Sequence, residues 1–154
     1  MISRRFASMG IALATVAVVG APRTTAAQKP TPVITVSPDS GLSDGQIVEV
    51  SGSGFQEQTV EIAECGDGNL DAHPAIGPVC TYFTHSVDVQ TDADGHFGSV
   101  TFAVEKAFIG TRYVNGNHLV STSYDCSLLN DCYIRVFSLT RGYRVATQSL
   151  TFTP

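Results

Sequence analysis

The chain has 154 residues, a formal charge of −5, 15% charged residues and 43% apolar residues. This length fits one compact domain and leaves no room for a two-domain enzyme. The low charged fraction argues against a disordered chain and against a helical bundle with many surface salt bridges. After residue 27 the chain is rich in Val, Thr, Ser and Gly, a composition typical of strands.

Residues 1–27 are predicted to be a secretory signal peptide. Arg4 and Arg5 give a positive start, residues 11–19 form an apolar run too short for a membrane span, and small residues precede a cleavage site after Ala27. We therefore expect one domain at residues 28–154, secreted and extracellular, with no membrane span. Six basic residues would remain against 14 acidic ones, a charge of −8 that disfavours direct binding of DNA.

After Pro32 the sequence alternates with period two between turn signals. No segment of ten residues or more in 28–154 has a 3.6-residue apolar period. The pattern predicts an all-β, immunoglobulin-like antiparallel Greek-key sandwich of about seven strands. Strands are expected at residues 33–37, 46–51, 59–65, 80–89, 97–104, 113–124 with a turn at 115–117, 132–139 and 148–153.

The alternation also assigns side chains to the core or to the outside of the sheet. Val60 and Ile62 are predicted to face inward, as are Ile134 and Val136. Outward-facing positions are predicted at Tyr133, Arg135, Phe137, Tyr82, Thr84, Ser86 and Asp88.

Four cysteines, Cys65, Cys80, Cys126 and Cys132, allow three disulfide pairings. The sequential pairing is the simplest, because each bridge closes a short segment. No Cys-x-x-Cys is present and the spacings do not suit a tetrahedral zinc site, so disulfides in an oxidising compartment are expected and a metal is not.

No pattern in the chain supports catalysis. Residues 90–101 fail as a calcium loop because Thr101 stands where the bidentate carboxylate is needed, and a turn with Gly95 at positive φ is expected instead. The four histidines lie in separate segments, and no Gly-x-Ser-x-Gly motif is present. Glu61 and Glu64 are candidates to pair with another carboxylate for glycoside hydrolysis, but nothing in the sequence fixes the separation of such a pair. The expectation is that the protein is not an enzyme.

Several motifs carry a family resemblance. They are TVSPDSGLSDG at residues 35–45, VEVSGSGF at 48–55, the first cysteine pair, TDADG at 91–95, VEKAFIG at 104–110, and Tyr124-Asp125-Cys126 with Cys132. Together they resemble the neocarzinostatin family over nearly all of residues 28–154. The family fold, a seven-stranded sandwich with a ligand cleft beside two disulfide-closed hairpins, agrees with the predicted strands.

The resemblance implies a function. Members of that family hold an enediyne chromophore in the cleft without a covalent bond and release it to cleave DNA. It therefore implies a secreted, antimicrobial, monomeric carrier of a hydrophobic aromatic small molecule, with no covalent cofactor and with DNA reached only through the ligand. The implied ligand-binding residues are Tyr133, Arg135, Phe137, Tyr82, Ser86, Ala63 and Tyr113.

The sequence departs from the family pattern around the cleft. Residues 67–73 replace an aromatic wall, residues 111–123 are expanded, and Tyr133 and Phe137 occupy positions that are small or polar in the family. With Arg135 they form a stripe that can stack a flat ligand and pair with an acidic group on it. The alternative is that these side chains pack beneath the long loops. In that case a secreted immunoglobulin-like interaction module, binding a protein or a cell-wall glycan without a chromophore, is expected.

Overall fold

The computed structural model describes residues 30–67, 77–114, 118–129, 131–140 and 145–153. The predicted signal peptide and the predicted turn at 115–117 lie outside the described residues, as does most of the segment 67–73. Among the described residues, no helix is long and apolar enough to cross a membrane.

The described chain forms ten strands and one short helix. In chain order they are β1 (Val33–Ser37), β2 (Gln46–Ser53), β3 (Thr59–Gly66), β4 (Val79–Cys80), β5 (Ser86–Gln90), β6 (Phe97–Val104), β7 (Ala107–Val114), β8 (His118–Asp125), α1 (Cys126–Leu129), β9 (Cys132–Ser138) and β10 (Val145–Ser149). One sheet has the order β1-β2-β6, and the other has the order β10-β9-β3-β4-β7-β8, with β5 also pairing with β3. All named strand pairs are antiparallel.

The core is built from the inward positions of these strands. Val48 and Val50 of β2, Ile62 of β3, and Ile134 and Val136 of β9 are fully buried in one hydrophobic cluster. The alternation buries the inward face of β2 and β9, and residues 62–66 of β3 are buried on both faces. These strands confirm the all-β sandwich predicted from the sequence. The number of strands is larger than the seven expected.

Part of that difference arises because the predicted strand at 80–89 is wrong as a single element. It is divided into β4 and β5 by a turn in which the amides of Thr84 and His85 donate to the carbonyl of Thr81, at 3.1 and 2.9 Å. These local bonds take the backbone of the turn out of the sheet ladder. The last strand also ends earlier than expected, at Ser149, because the amide of Leu150 bonds to Cys132 and the chain then leaves the sheet.

The two disulfides join Cys65 to Cys80 and Cys126 to Cys132, as the sequential pairing predicts. The first links β3 to β4, and the second links the start of α1 to the start of β9. The expected turn at Gly95 is also confirmed: its φ is +78°, and a Cβ there would lie 1.5 Å from the carbonyl oxygen of Phe55.

Candidate ligand-binding site

The outer faces of β9 and β3 lie side by side on the same surface of the larger sheet. Because the two strands are antiparallel neighbours, each outward side chain of β9 has a fixed partner on β3. The register pairs Tyr133 with Cys65, Arg135 with Ala63, and Phe137 with Glu61. The same face of β5 then places Ser86 opposite Ala63 and Asp88 opposite Glu61.

A cavity of about 450 Å³ opens on this face. Its volume lies within the usual range for small-molecule sites. Aromatic side chains from three parts of the fold surround it: Phe137 of β9, Tyr82 and Phe83 of the turn after β4, and Tyr113 of β7. Arg135, Glu61, Gly77, Pro78 and Leu139 complete the lining.

Three side chains form a connected group at the floor of the cavity. The ring of Tyr82 meets the edge of the Phe137 ring with their centroids 5.1 Å apart. Arg135 donates from Nη1 to the Tyr82 hydroxyl at 2.9 Å, and its guanidinium carbon lies 5.7 Å from the centroid of the Phe137 ring. Edge-to-face and cation–π contacts of this kind fix the orientation of the rings, so part of the aromatic lining is preformed.

Tyr133 is held away from the cavity. Its hydroxyl donates to Oδ1 of Asp67 at 2.6 Å. Burial, together with the carboxylate of Asp67, raises the pKa of Tyr133 well above its ordinary value of 10. Tyr133 is therefore a neutral hydrogen-bond donor that ties β9 to the residue following β3.

Glu61 is the carboxyl group of the cavity lining. Loss of water around it raises the pKa of Glu61, the hydroxyl of Ser86 lowers it, and the carboxylate of Asp88 across the strand pair raises it further. The overall direction is upward, so the charged form of Glu61 is disfavoured in the cavity.

Four of the seven sequence-predicted ligand residues line the cavity: Arg135, Phe137, Tyr82 and Tyr113. Tyr133, Ser86 and Ala63 are not part of its lining. Ala63 is fully buried between its two neighbouring strands, and the Ser86 hydroxyl donates to the carbonyl of Tyr82 at 2.9 Å.

The sequence did not identify Phe83 and Leu139 as residues of the cavity lining. Their side chains are 71% and 49% exposed. Phe83 lies in the turn that was assigned to a strand, where alternation would have placed it in the core. A Tyr-Phe pair so soon after a half-cystine is the signal that could have found it, because exposed neighbouring aromatic residues are unusual unless they meet a partner.

Glu61 and Glu64, the sequence candidates for a glycosidase carboxylate, point to opposite faces of β3, so they do not form a pair with each other. Glu64 is fully buried on the inner face, where its Oε2 accepts the backbone N–H of Glu105 at 2.8 Å. A glycosidase needs both carboxyl groups at one substrate, and this arrangement does not supply them.

A second cavity, of about 520 Å³, lies beside the β7–β8 hairpin and includes His85, Ile109 and Ser123 in its lining. It contains none of the predicted ligand residues. Within the described part of the chain, no group of three or more His, Cys, Asp or Glu side chains could hold a metal ion.

Comparisons with known proteins agree with this architecture. The model of the neocarzinostatin family matches residues 34–152. Two relatives from Streptomyces globisporus, actinoxanthin and the antitumor antibiotic C-1027 apoprotein, are each 40% identical to the chain over 113 residues, which covers 71% of this chain and 71% of each relative.

Solved structures show the same likeness. Macromomycin superposes with a TM-score of 0.64 and 27% identity, over 80% of this chain and 100% of its own. The solution structure of apokedarcidin superposes with a TM-score of 0.55 and 25% identity, over 80% of this chain and 99% of its own.

Proposed function

The chain belongs to the neocarzinostatin family, and from that premise we propose that it is a carrier apoprotein for an aromatic small molecule of the enediyne-chromophore type. The ligand is held without a covalent bond in the cavity between β9 and β7. The relative named as an antitumor antibiotic apoprotein supports an antimicrobial role for the loaded protein.

The observation that carries this proposal is the aromatic lining of the 450 Å³ cavity. Tyr82, Phe83, Phe137 and Tyr113 supply ring faces and edges, and the disulfide between Cys65 and Cys80 braces the turn that holds two of them. A rigid apolar site with few polar groups binds a flat ligand by burying its surface, with little loss of side-chain freedom.

The proposed carrier is secreted, and its ligand rather than the polypeptide damages DNA. Two disulfides and the predicted signal peptide support secretion, since disulfides persist in oxidising compartments. The formal charge of −5 disfavours contact between the polypeptide and phosphate, so damage to DNA would be done by the released ligand.

A neutral aromatic probe tests the cavity. The oxidised protein should bind 2-naphthamide at one site, and Phe137→Ala should weaken binding about tenfold, because the ring that forms the cavity floor is lost. Ile47→Ala is the matched control, since Ile47 is 57% exposed on the other sheet and should bind as the unmodified protein does. Fluorescence titration measures all three. Absence of binding, or equal weakening by both substitutions, would contradict the proposal.

A second candidate function is favoured by the exposed apolar rim of the same cavity. Phe83, Tyr113 and Leu139 are 71%, 50% and 49% exposed. Such a rim suits an interaction module that binds a protein or a cell-wall glycan. Loss of partner binding on Phe83→Ser, in a protein that binds no aromatic probe, would favour this module over the carrier.

A further inference from the structure

The guanidinium of Arg135 is an unusual feature of an aromatic cavity. Its Nη1 donates to the Tyr82 hydroxyl, while its Nε is buried and has no hydrogen-bond partner. Among the described residues, no carboxylate forms an ion pair with it. A guanidinium without a counter-ion at a partly buried position is costly to maintain, and an anion bound beside it lowers that cost.

The strand register explains why the described strands on either side of Arg135 supply no anion. The direct neighbours of Arg135 across the sheet are Ala63 on β3 and Thr147 on β10, and neither is charged. Asp67, which follows β3, accepts a hydrogen bond from the hydroxyl of Tyr133 rather than from Arg135.

Glu61 does not neutralise the guanidinium either. It lies opposite Phe137, one position removed from Arg135 along the face. A carboxylate paired with a guanidinium would have a lowered pKa, whereas burial and Asp88 raise the pKa of Glu61 despite the hydroxyl of Ser86. Among the described residues, no anion therefore competes with a ligand for the positive charge of Arg135.

Resting on the proposed carrier function, we propose that the cavity selects planar aromatic acids. The rings of the ligand pack against Phe137 and Tyr82, and its carboxylate accepts hydrogen bonds from the Nη1 and Nη2 N–H groups of Arg135 that do not donate to Tyr82. The fork of a guanidinium matches the two oxygens of a carboxylate, so this contact sets both the orientation of the ligand and its charge class.

Two probes of the same shape separate charge from size. 2-Naphthoate is an anion at pH 7, and 2-naphthamide replaces its carboxylate by a neutral amide. The unmodified, oxidised protein should bind the anion at least tenfold more tightly, as expected for a charge-assisted contact in a partly buried site. Arg135→Gln should remove this preference, so that the ratio of the two dissociation constants falls to about one whatever the affinity for 2-naphthamide becomes.

Arg112→Gln is the matched control. Arg112 is also half-buried with an unpartnered Nε, but it lies on β7 and does not line the cavity. This substitution removes the same charge from the chain, so it should leave the preference for 2-naphthoate intact. Equal effects of the two substitutions would show that net charge alone matters and would overturn the proposal.

Two further outcomes separate the selection of acids from the carrier function. Equal affinity of the unmodified protein for both probes would overturn the selection of acids while leaving the carrier function in place. Absence of binding by either probe would overturn both. Because the comparison of the two probes uses the unmodified protein, it remains decisive if Arg135→Gln fails to fold.

Discussion

At the scale of single residues, Glu64 places an acidic group where a strand would ordinarily place an apolar one. Its side chain is fully buried on the inner face of β3, and its carboxylate accepts one backbone N–H, from Glu105. Loss of water raises the pKa of Glu64 to about 8, and the nearby charges of Glu105 and Asp44 add to the shift against the effect of that hydrogen bond. At neutral pH the folded protein therefore holds a proton that the unfolded chain releases.

This shift predicts how stability depends on pH. Because the folded pKa of Glu64 lies above its unfolded value of 4.5, its contribution is complete below about pH 4.5 and is lost as pH rises through 8. Glu64→Gln removes the charge and keeps an oxygen for the Glu105 amide. It should raise the free energy of unfolding at pH 8.5 by about 2–5 kcal/mol and have little effect at pH 4.5.

Urea unfolding at the two pH values measures the difference. Glu49→Gln is the control, since Glu49 is exposed on β2 and should change stability by less than about 0.5 kcal/mol at either pH. If Glu64→Gln were destabilising at pH 8.5, the carboxylate would be a favourable partner of the Glu105 amide, and the assignment of burial as the dominant effect would be wrong.

At the scale of elements, β9 connects the core to the cavity. Its even-numbered residues pack inward, while Arg135 and Phe137 of its outer face line the cavity, so one strand contributes to stability and to the proposed binding site. Ile134→Ala should cost about 2–5 kcal/mol of unfolding free energy, because it leaves a void in the core. Phe137→Ala should cost less, because the ring is only half-buried.

Denaturant unfolding of these two variants, with unchanged m-values, tests that division. A larger loss for Phe137→Ala than for Ile134→Ala would mean that the aromatic face is structural packing. The interpretation in which Tyr133, Arg135 and Phe137 merely support the long loops would then be preferred.

The sequence could predict those elements whose signal is local. Alternation located β1, β6 and β9 within one residue of their ends and assigned Ile134 and Phe137 to the correct faces. It could not predict the break between β4 and β5, because the start of that turn is fixed by a hydrogen bond from the amide of Thr81 to the carbonyl of Glu64 on β3. Propensity and periodicity contain no term for such tertiary contacts.

The cavity was predicted only in part for a similar reason. Which side chains of a single strand face outward follows from their alternation along the strand, and this alternation predicted Arg135, Phe137 and Tyr82. Which outward residues share a cavity depends on the register between β3 and β9 and on the path of the β4–β5 turn. Phe83 and Ala63 were misjudged because both positions are decided by that long-range arrangement.

At the scale of the whole molecule, two sheets enclose one core, and the two disulfides brace the segments that border β3 and β9. The aromatic cavity lies on the outer face of the larger sheet, so binding does not require the core to open.

The central claim, that the protein carries a small molecule, is tested most directly by a native mass spectrum of the protein secreted by its own host, with a near-ultraviolet absorption scan. The chain contains no tryptophan, so absorption at wavelengths beyond the tyrosine band reports a bound chromophore. The account predicts such absorption, together with a bound mass that is lost when the protein is denatured. A bare, fully oxidised chain with the absorption of tyrosine alone would contradict it.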